Sequence, residues 1–248
     1  MIKISVITAV HNSKSTIQDC LESVQSQDYP NIEHIVIDGK SSDGTLDILK
    51  QYRKDISILI SEKDLGIYDA LNKGLKYVTG DIVGFLHSDD IYANSNVLSL
   101  YAEAFEGENI DSCYGDLIYV ESGNTKKSVR YWKSGPLKRY KLRWGWMPPH
   151  PTLYIRNELY QKLGGFRLDM GTAGDYESII RFFLKHKISA KYIPSTMIKM
   201  RVGGASNVTL RNRIRANMND RKAWKVNKVR PYPWALIFKP LSKIKQYI

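Results

Sequence analysis

Across residues 2–90, short apolar runs rich in β-branched side chains alternate with stretches in which apolar residues recur every three or four positions. The runs at 2–10, 33–38, 56–60 and 81–86 predict strands. Between them, Ile17, Leu21 and Val24, then Leu46, Leu49 and Tyr52, then Ile67, Leu71, Leu75 and Val78 fall on single faces of three helices. Regular alternation of this kind predicts an α/β fold: a mostly parallel central sheet of Rossmann-like β/α units, flanked by helices and joined by right-handed crossovers. Pro30-Asn31 and Thr79-Gly80-Asp81 punctuate helix-to-strand turns, and Asp43-Gly44-Thr45 opens the second helix.

The second half is less regular. A helix is predicted over 96–105 and a strand over 111–120. Residues 126–143 carry eight Lys/Arg and no acid, interleaved with Tyr131, Trp132 and Tyr140, and read as a surface excursion. A helix over 157–163 closes at Gly164-Gly165, and another begins near Asp175 with Ile179, Ile180, Phe183 and Leu184 inward.

Composition narrows the class. A chain of 248 residues, 43% hydrophobic and 25% charged, is that of a globular protein able to bury one sizeable core. The net charge of +12 is unevenly spread, because residues 201–248 hold twelve bases against the single acid Asp220. The expected organisation is therefore a main α/β domain over 1–208 and a basic, aromatic-rich helical extension over 209–248. Lys and Arg mixed with Trp234, Leu236, Ile237 and Phe238 suit an anionic bilayer surface, although a solvated basic helix has the same composition. Cys20 and Cys113 show neither metal spacing nor a disulfide framework, which fits a reducing cytosolic compartment. The first ten residues read as a strand rather than a signal sequence, and no run of eighteen apolar residues occurs. The expected location is cytoplasmic, and the tail offers one means of peripheral attachment to a membrane.

Candidate chemistry collects where strands end. Strand ends at Val10, Asp38, Ile60 and Leu86 bring four loops to one rim, the edge at which ligands bind open α/β sheets. One loop is Ser88-Asp89-Asp90, whose paired carboxylates suit a hard divalent cation held against a diphosphate; helix capping is the structural alternative. Asp38 could accept hydrogen bonds from a ribose hydroxyl or a base N–H, or could serve the turn at Gly39. His150, set in Pro148-Pro149-His150-Pro151, is either a neutral imidazole ligand or a structural histidine. Trp144 and Trp146 could form a sugar-stacking wall or belong to the core, and Gly203-Gly204-Ala205-Ser206-Asn207 could approach a phosphate or make a plain turn.

In order and spacing these segments resemble the family-2 glycosyltransferases, enzymes of the GT-A fold that use nucleotide sugars. The matching pieces are Ser5 to Asn12, Ile37-Asp38-Gly39 through Gly44-Thr45, Asp64 through Ile67-Tyr68-Asp69-Ala70-Leu71-Asn72-Lys73-Gly74, and Ser88-Asp89-Asp90. His150 leading into Leu163-Gly164-Gly165-Phe166, then Asp175-Tyr176-Glu177, then Gly203-Gly204-Ala205-Ser206 extend the match to roughly residues 3–207. The resemblance implies that Thr8, Ala9, Asp38 and Asp64 contact the nucleoside and Asp89 the ribose. It implies that Asp90, with His150 completing the shell or touching the acceptor, holds Mn²⁺ or Mg²⁺ on the diphosphate of a UDP or GDP sugar. It makes Asp175 the general base that deprotonates a saccharide acceptor, lipid-linked in many such enzymes, with inversion at the anomeric carbon. The chain departs from the family in Ala173-Gly174-Asp175, where Gly174 replaces the usual acidic neighbour.

Two other classes fit less well. A nucleotide-sugar pyrophosphorylase needs a Gly- and Arg-rich loop after the first strand, where this chain has Ala9-Val10-His11-Asn12-Ser13. A nucleic-acid partner is not expected, because it would leave the acidic rim unexplained: carboxylates at a binding face repel phosphates unless a cation intervenes.

Overall fold

The computed structural model describes residues 1–203, 210–233 and 235, with backbone alone over 210–216. Its first half follows the sequence pattern: β1 (Ile4–Val10), α1 (Ile17–Gln25), β2 (Ile32–Asp38), α2 (Thr45–Gln51), β3 (Ile58–Ser61), α3 (Ile67–Leu75) and β4 (Ile82–Phe85). β5 (Asp90–Tyr92) is too short to leave a periodic signal, and α4 (Val97–Gly107) and β6 (Ser112–Glu121) follow it. The basic excursion contains β7 (Asn124–Trp132), an exposed strand hairpinned onto β6, and then α5 (Arg139–Arg143). A 3₁₀ turn at His150–Thr152 leads to β8 (Tyr154–Arg156) and α6 (Asn157–Leu163). After a second 3₁₀ segment, Leu168–Ala173, come α7 (Gly174–Ile179), which runs on as a π-turn over Ile180–Lys185, then β9 (Lys191–Arg201) and α8 (Leu210–Val226).

Among the described residues the strands form one sheet in the order β3-β2-β1-β4-β8-β6-β9-β5, with β7 on β6. The four strands from β3 to β4 are parallel, β8 runs antiparallel to both β4 and β6, and β5 lies antiparallel to β9. Alternation along β1 explains the two layers. Ile4, Val6 and Val10 join α1, α2 and α4 in one core, whereas Ile7 and Ala9 join α3, α6, α7 and α8 in the other.

Close packing needs small residues at two crossings. A Cβ on Gly74 would lie 2.6 Å from Ile7, so glycine lets α3 settle on β1. A Cβ on Gly84 would lie 2.0 Å from the ring of Tyr154, which stacks on Tyr101 at 4.0 Å and shares a 2.5 Å hydrogen bond with Tyr92. Burial of each such side chain contributes about 1.5–3 kcal/mol. Three helical positions differ from the pattern: Tyr52 and Val78 fall beyond the ends of α2 and α3, and Ile67 is 46% exposed because α3 starts at the open rim, its inward face being made by Ala70, Leu71 and Gly74.

The described part of the extension packs onto the core. In α8, Ala223 and Trp224 are buried in the second core, and just beyond it the Asn227 amide donates to Glu177 Oε1 at 3.0 Å. Glu177 is also paired with Arg181, whose guanidinium donates to the carbonyls of Leu163, Gly164 and Gly165. Buried charges persist where partners satisfy them, and this network ties α6, α7 and α8 together. Among the described residues no helix is long and apolar enough to cross a membrane. Gly204, Ala205, Ser206, Asn207, Trp234 and the stretch 236–248 lie outside the described residues.

Candidate active site

Parallel registry aligns Val10 with Asp38 and Asp38 with Ser61, so the loops after β1, β2 and β3 start at one level. Side chains then join the first two loops: Asn12 N–H donates to Ser41 Oγ at 2.8 Å, Ser42 N–H to Asn12 Oδ1 at 2.9 Å, and Ser13 N–H to Thr45 Oγ1 at 2.8 Å. Asp38 is fully buried and accepts 2.5 Å hydrogen bonds from both Ser41 Oγ and Ser61 Oγ. Its carboxylate therefore sets the shape of the rim. Thr8 is equally buried, with Oγ1 3.0 Å from Nε2 of His34, whose pKa burial lowers to about 4. Ala9 is 7% exposed beside it. Asp64 leans into the same corner: a Cβ on Gly39 would meet Asp64 Oδ2 at 2.4 Å, and Asp64 Oδ1 accepts the Gly66 N–H at 2.9 Å. Glycine after Asp38 is what admits that second carboxylate.

Beyond β4 the chain turns sharply, with Leu86 N–H bonded to Ile7 O and Asp90 N–H to His87 O. Ser88 Oγ lies 2.9 Å from Ser13 Oγ, fastening this turn to the first loop. Asp90 opens β5, opposite Met200 of β9, rather than lying in a loop. Its side chain is fully buried, and neither carboxylate oxygen has a hydrogen-bond partner. Burial, followed by the charge of Asp89, pushes its pKa well above the usual carboxylate range, against the pull of the nearby Arg201 backbone N–H and then of the guanidinium charge. Arg201 itself is 5% exposed, donates to Asp89 O at 2.7 Å and pairs with Asp19. Its distance from Asp89 along the chain hides this role in the sequence.

An orphaned buried carboxylate fits a cation. Among the described residues no three His, Cys, Asp or Glu side chains gather around one point. Mg²⁺-like sites commonly need only one or two carboxylates, with substrate phosphates and water supplying the rest, and Asp90 meets that requirement.

The far side of the rim holds His87, His150, Asp175 and Tyr68. His87 is buried at Nδ1 without a partner; burial lowers its pKa, while Asp89 and Asp175 both pull it back up. It thus stands electrostatically between the two acidic positions. His150 stacks on Phe85 at 5.9 Å and meets Phe166 edge-on at 5.6 Å, and its pKa is lowered to about 4, chiefly by burial. Asp175 and His87 are ionisable groups that act on it. Asp175 sits in the first turn of α7, with Oδ1 accepting the Tyr176 N–H at 2.7 Å and the Tyr68 hydroxyl at 3.2 Å. Sequence patterns alone do not point to Tyr68 or His87, Tyr68 because it sits in a helix start and His87 because the adjacent acids dominate. Trp144 is 38% exposed and packs 5.0 Å from Tyr232, whereas Trp146 is partly buried against the second core.

The family model for glycosyl transferase family 2 matches residues 5–166. This chain belongs to glycosyltransferase family 2. An uncharacterized glycosyltransferase of Mycobacterium tuberculosis is 33% identical over 186 residues, covering 72% of this chain and 68% of its own. Among solved structures, TarS 1-349 of S. aureus in complex with UDP-GlcNAc superposes with a TM-score of 0.66 at 19% identity, covering 90% of this chain and 71% of that one. This chain spans 37% of a longer TarS crystal chain. The mannosyltransferase PcManGT of Pyrobaculum calidifontis, in complex with GDP-Man and Mn²⁺, gives 0.67 at 20% identity, covering 97% and 68%. The fold of this glycosyltransferase is GT-A.

Proposed function

We propose that this glycosyltransferase moves a sugar from a UDP or GDP sugar to a lipid-linked saccharide, with inversion, during surface-polysaccharide synthesis at the inner face of the cytoplasmic membrane. The observation that carries the reading is Asp90, a fully buried carboxylate with both oxygens unpartnered at the rim of the sheet. Asp90 would hold Mn²⁺ or Mg²⁺, with the donor's phosphates and water supplying further ligands; when bound, the cation neutralises charge on the diphosphate as it leaves. The complex of PcManGT with GDP-Man and Mn²⁺ supports this reading, and the UDP-GlcNAc complex of TarS supports a nucleotide sugar of either base.

The remaining roles belong to the chain's own residues. Thr8, Ala9, Asp38 and Asp64 would line the nucleoside corner, where the burial of Thr8 and Asp38 leaves Ala9 and the Asp64 carboxylate as the more accessible edge. Asp89 would take the ribose. Asp175 would receive the acceptor's hydroxyl proton as that oxygen attacks opposite the diphosphate, an arrangement whose rate gain comes largely from positioning. His150, neutral at physiological pH and walled by Phe85 and Phe166, would face the acceptor side with Asp175.

A screen of UDP and GDP sugars with and without Mn²⁺, read by thermal shift and by donor hydrolysis, tests the assignment. Asp90→Ala should lose metal-dependent donor binding, and Asp175→Asn should keep it while losing transfer. Equal loss of donor binding in both variants would overturn the division of roles.

A further inference from the structure

We propose that α5 and the segment 221–233 form one folded surface that docks on an anionic lipid bilayer, independently of the stretch 236–248. The two elements are far apart in sequence but joined in space: Tyr232 N–H donates to Arg143 O at 3.0 Å, Arg143 Nη1 to Arg230 O at 3.2 Å across 87 residues, and Trp144 packs on Tyr232 at 5.0 Å. Lys138, Lys141, Arg221, Lys225, Lys228 and Arg230 are exposed around this junction, and none of them is ion-paired to an acid among the described residues.

Aromatic rings are exposed among those charges. Tyr140 is 53% exposed, Trp144 38% and Tyr232 39%, and Tyr140 and Trp144 are four residues apart, on one side of the short helix. Next to them a cavity of ≈ 250 Å³ is walled by Trp224, Val229 and Pro231 and rimmed by Arg221, Lys225 and Arg230. Cations around an apolar floor, with Tyr and Trp at the boundary, match the layering of a bilayer surface, where headgroup phosphates lie above acyl chains. Duplex nucleic acid would match the charge but leave the apolar floor uncovered.

The location gives the surface a use. Trp144 precedes His150 by six residues, so the acceptor side of the rim lies within about 20 Å of the docking face along the chain. The relevance to catalysis rests on the lipid-linked acceptor proposed above; the binding itself does not.

Co-sedimentation of the full chain with phosphatidylcholine vesicles, with and without phosphatidylglycerol, tests it. Binding should require phosphatidylglycerol and weaken as salt is raised. Each exposed base near the surface is worth about fivefold in partitioning, so Lys138→Gln, Lys141→Gln and Arg230→Gln together should weaken binding about a hundredfold. Tyr140→Ser alone should weaken it several-fold, with donor hydrolysis and thermal melting unchanged in both variants as proof of folding. Undiminished vesicle binding by the triple variant would overturn the proposal. So would preferential binding of duplex DNA that the same substitutions abolish.

Discussion

The Tyr68 hydroxyl lies 3.2 Å from Asp175 Oδ1 and also 3.2 Å from the Asp175 backbone nitrogen, so one phenol holds both the carboxylate and the start of α7. Gly174 makes the contact possible, since a Cβ there would sit 2.7–2.9 Å from three carbons of the Tyr68 ring. This gives a physical reason for glycine at the position where the family usually has an acid: the space is occupied by Tyr68, which stacks on Phe166 at 5.4 Å.

Gly174→Ala should therefore displace the ring and cut turnover about tenfold or more, because small misplacements of a reacting group are costly. Donor affinity should stay within about twofold. Tyr68→Phe should lower turnover in the wild-type background but add little in Gly174→Ala, since both substitutions break the same contact. Steady-state kinetics and donor titration on the four proteins of the cycle measure this; additive losses would refute the coupling.

Metal removal should be felt at Asp90. Its carboxylate is buried with only the Arg201 backbone N–H near it, beyond good hydrogen-bond geometry, so the metal-free protein bears a desolvation cost of about 1–3 kcal/mol. Mn²⁺ with a nucleoside diphosphate should raise the melting temperature of the wild type, and Asp90→Ala should melt no lower than metal-free wild type and gain nothing from the additions. Differential scanning fluorimetry with and without chelator measures both.

Acid should unfold the protein partly through Glu33. Burial raises its pKa, but hydrogen bonds from Ser5 and Thr79 and the ammonium of Lys3 outweigh that and hold it at about 2, against 4.5 unperturbed. A depressed carboxylate stabilises the fold above its unfolded pKa, and that contribution is lost as pH falls from 4.5 toward 2. Glu33→Gln should cost about 2 kcal/mol at neutral pH, after allowance for screening, and flatten the pH dependence of stability in that window. Urea melts at several pH values measure it.

Loss of Trp224 should damage the whole domain. It is 3% exposed in the second core beside Tyr176, so Trp224→Ala should cost about 3–5 kcal/mol. A cost below about 1 kcal/mol in denaturant melts would show that α8 is an independent appendage.

The β/α units were legible because β1, β2 and β4 are buried on both faces and each of the first helices presents one apolar stripe. The acidic rim was legible for the same reason, since a carboxylate just beyond a fully buried run must emerge at the mouth of the sheet, where ligands bind. β9 was not legible: Lys191, Pro194 and Lys199 interrupt its apolar positions, and pairing with β6 is what makes it a strand. Arg201 and Tyr68 were hidden because their roles depend on residues 112 and 107 positions away, a proximity that only the folded sheet creates.

The reversal of strand direction at β8 divides the sheet into a parallel half and a mixed one. Thr8, Ala9, Asp38 and Asp64 belong to the parallel half, whereas Asp90 on β5, His150 and Asp175 lie beyond β4, and His87, just past β4, feels both Asp89 and Asp175. The second core bridges that seam, since Ile7 and Ala9 of β1 pack with α6, α7 and α8, so a volume change on either side of β8 is felt on the other.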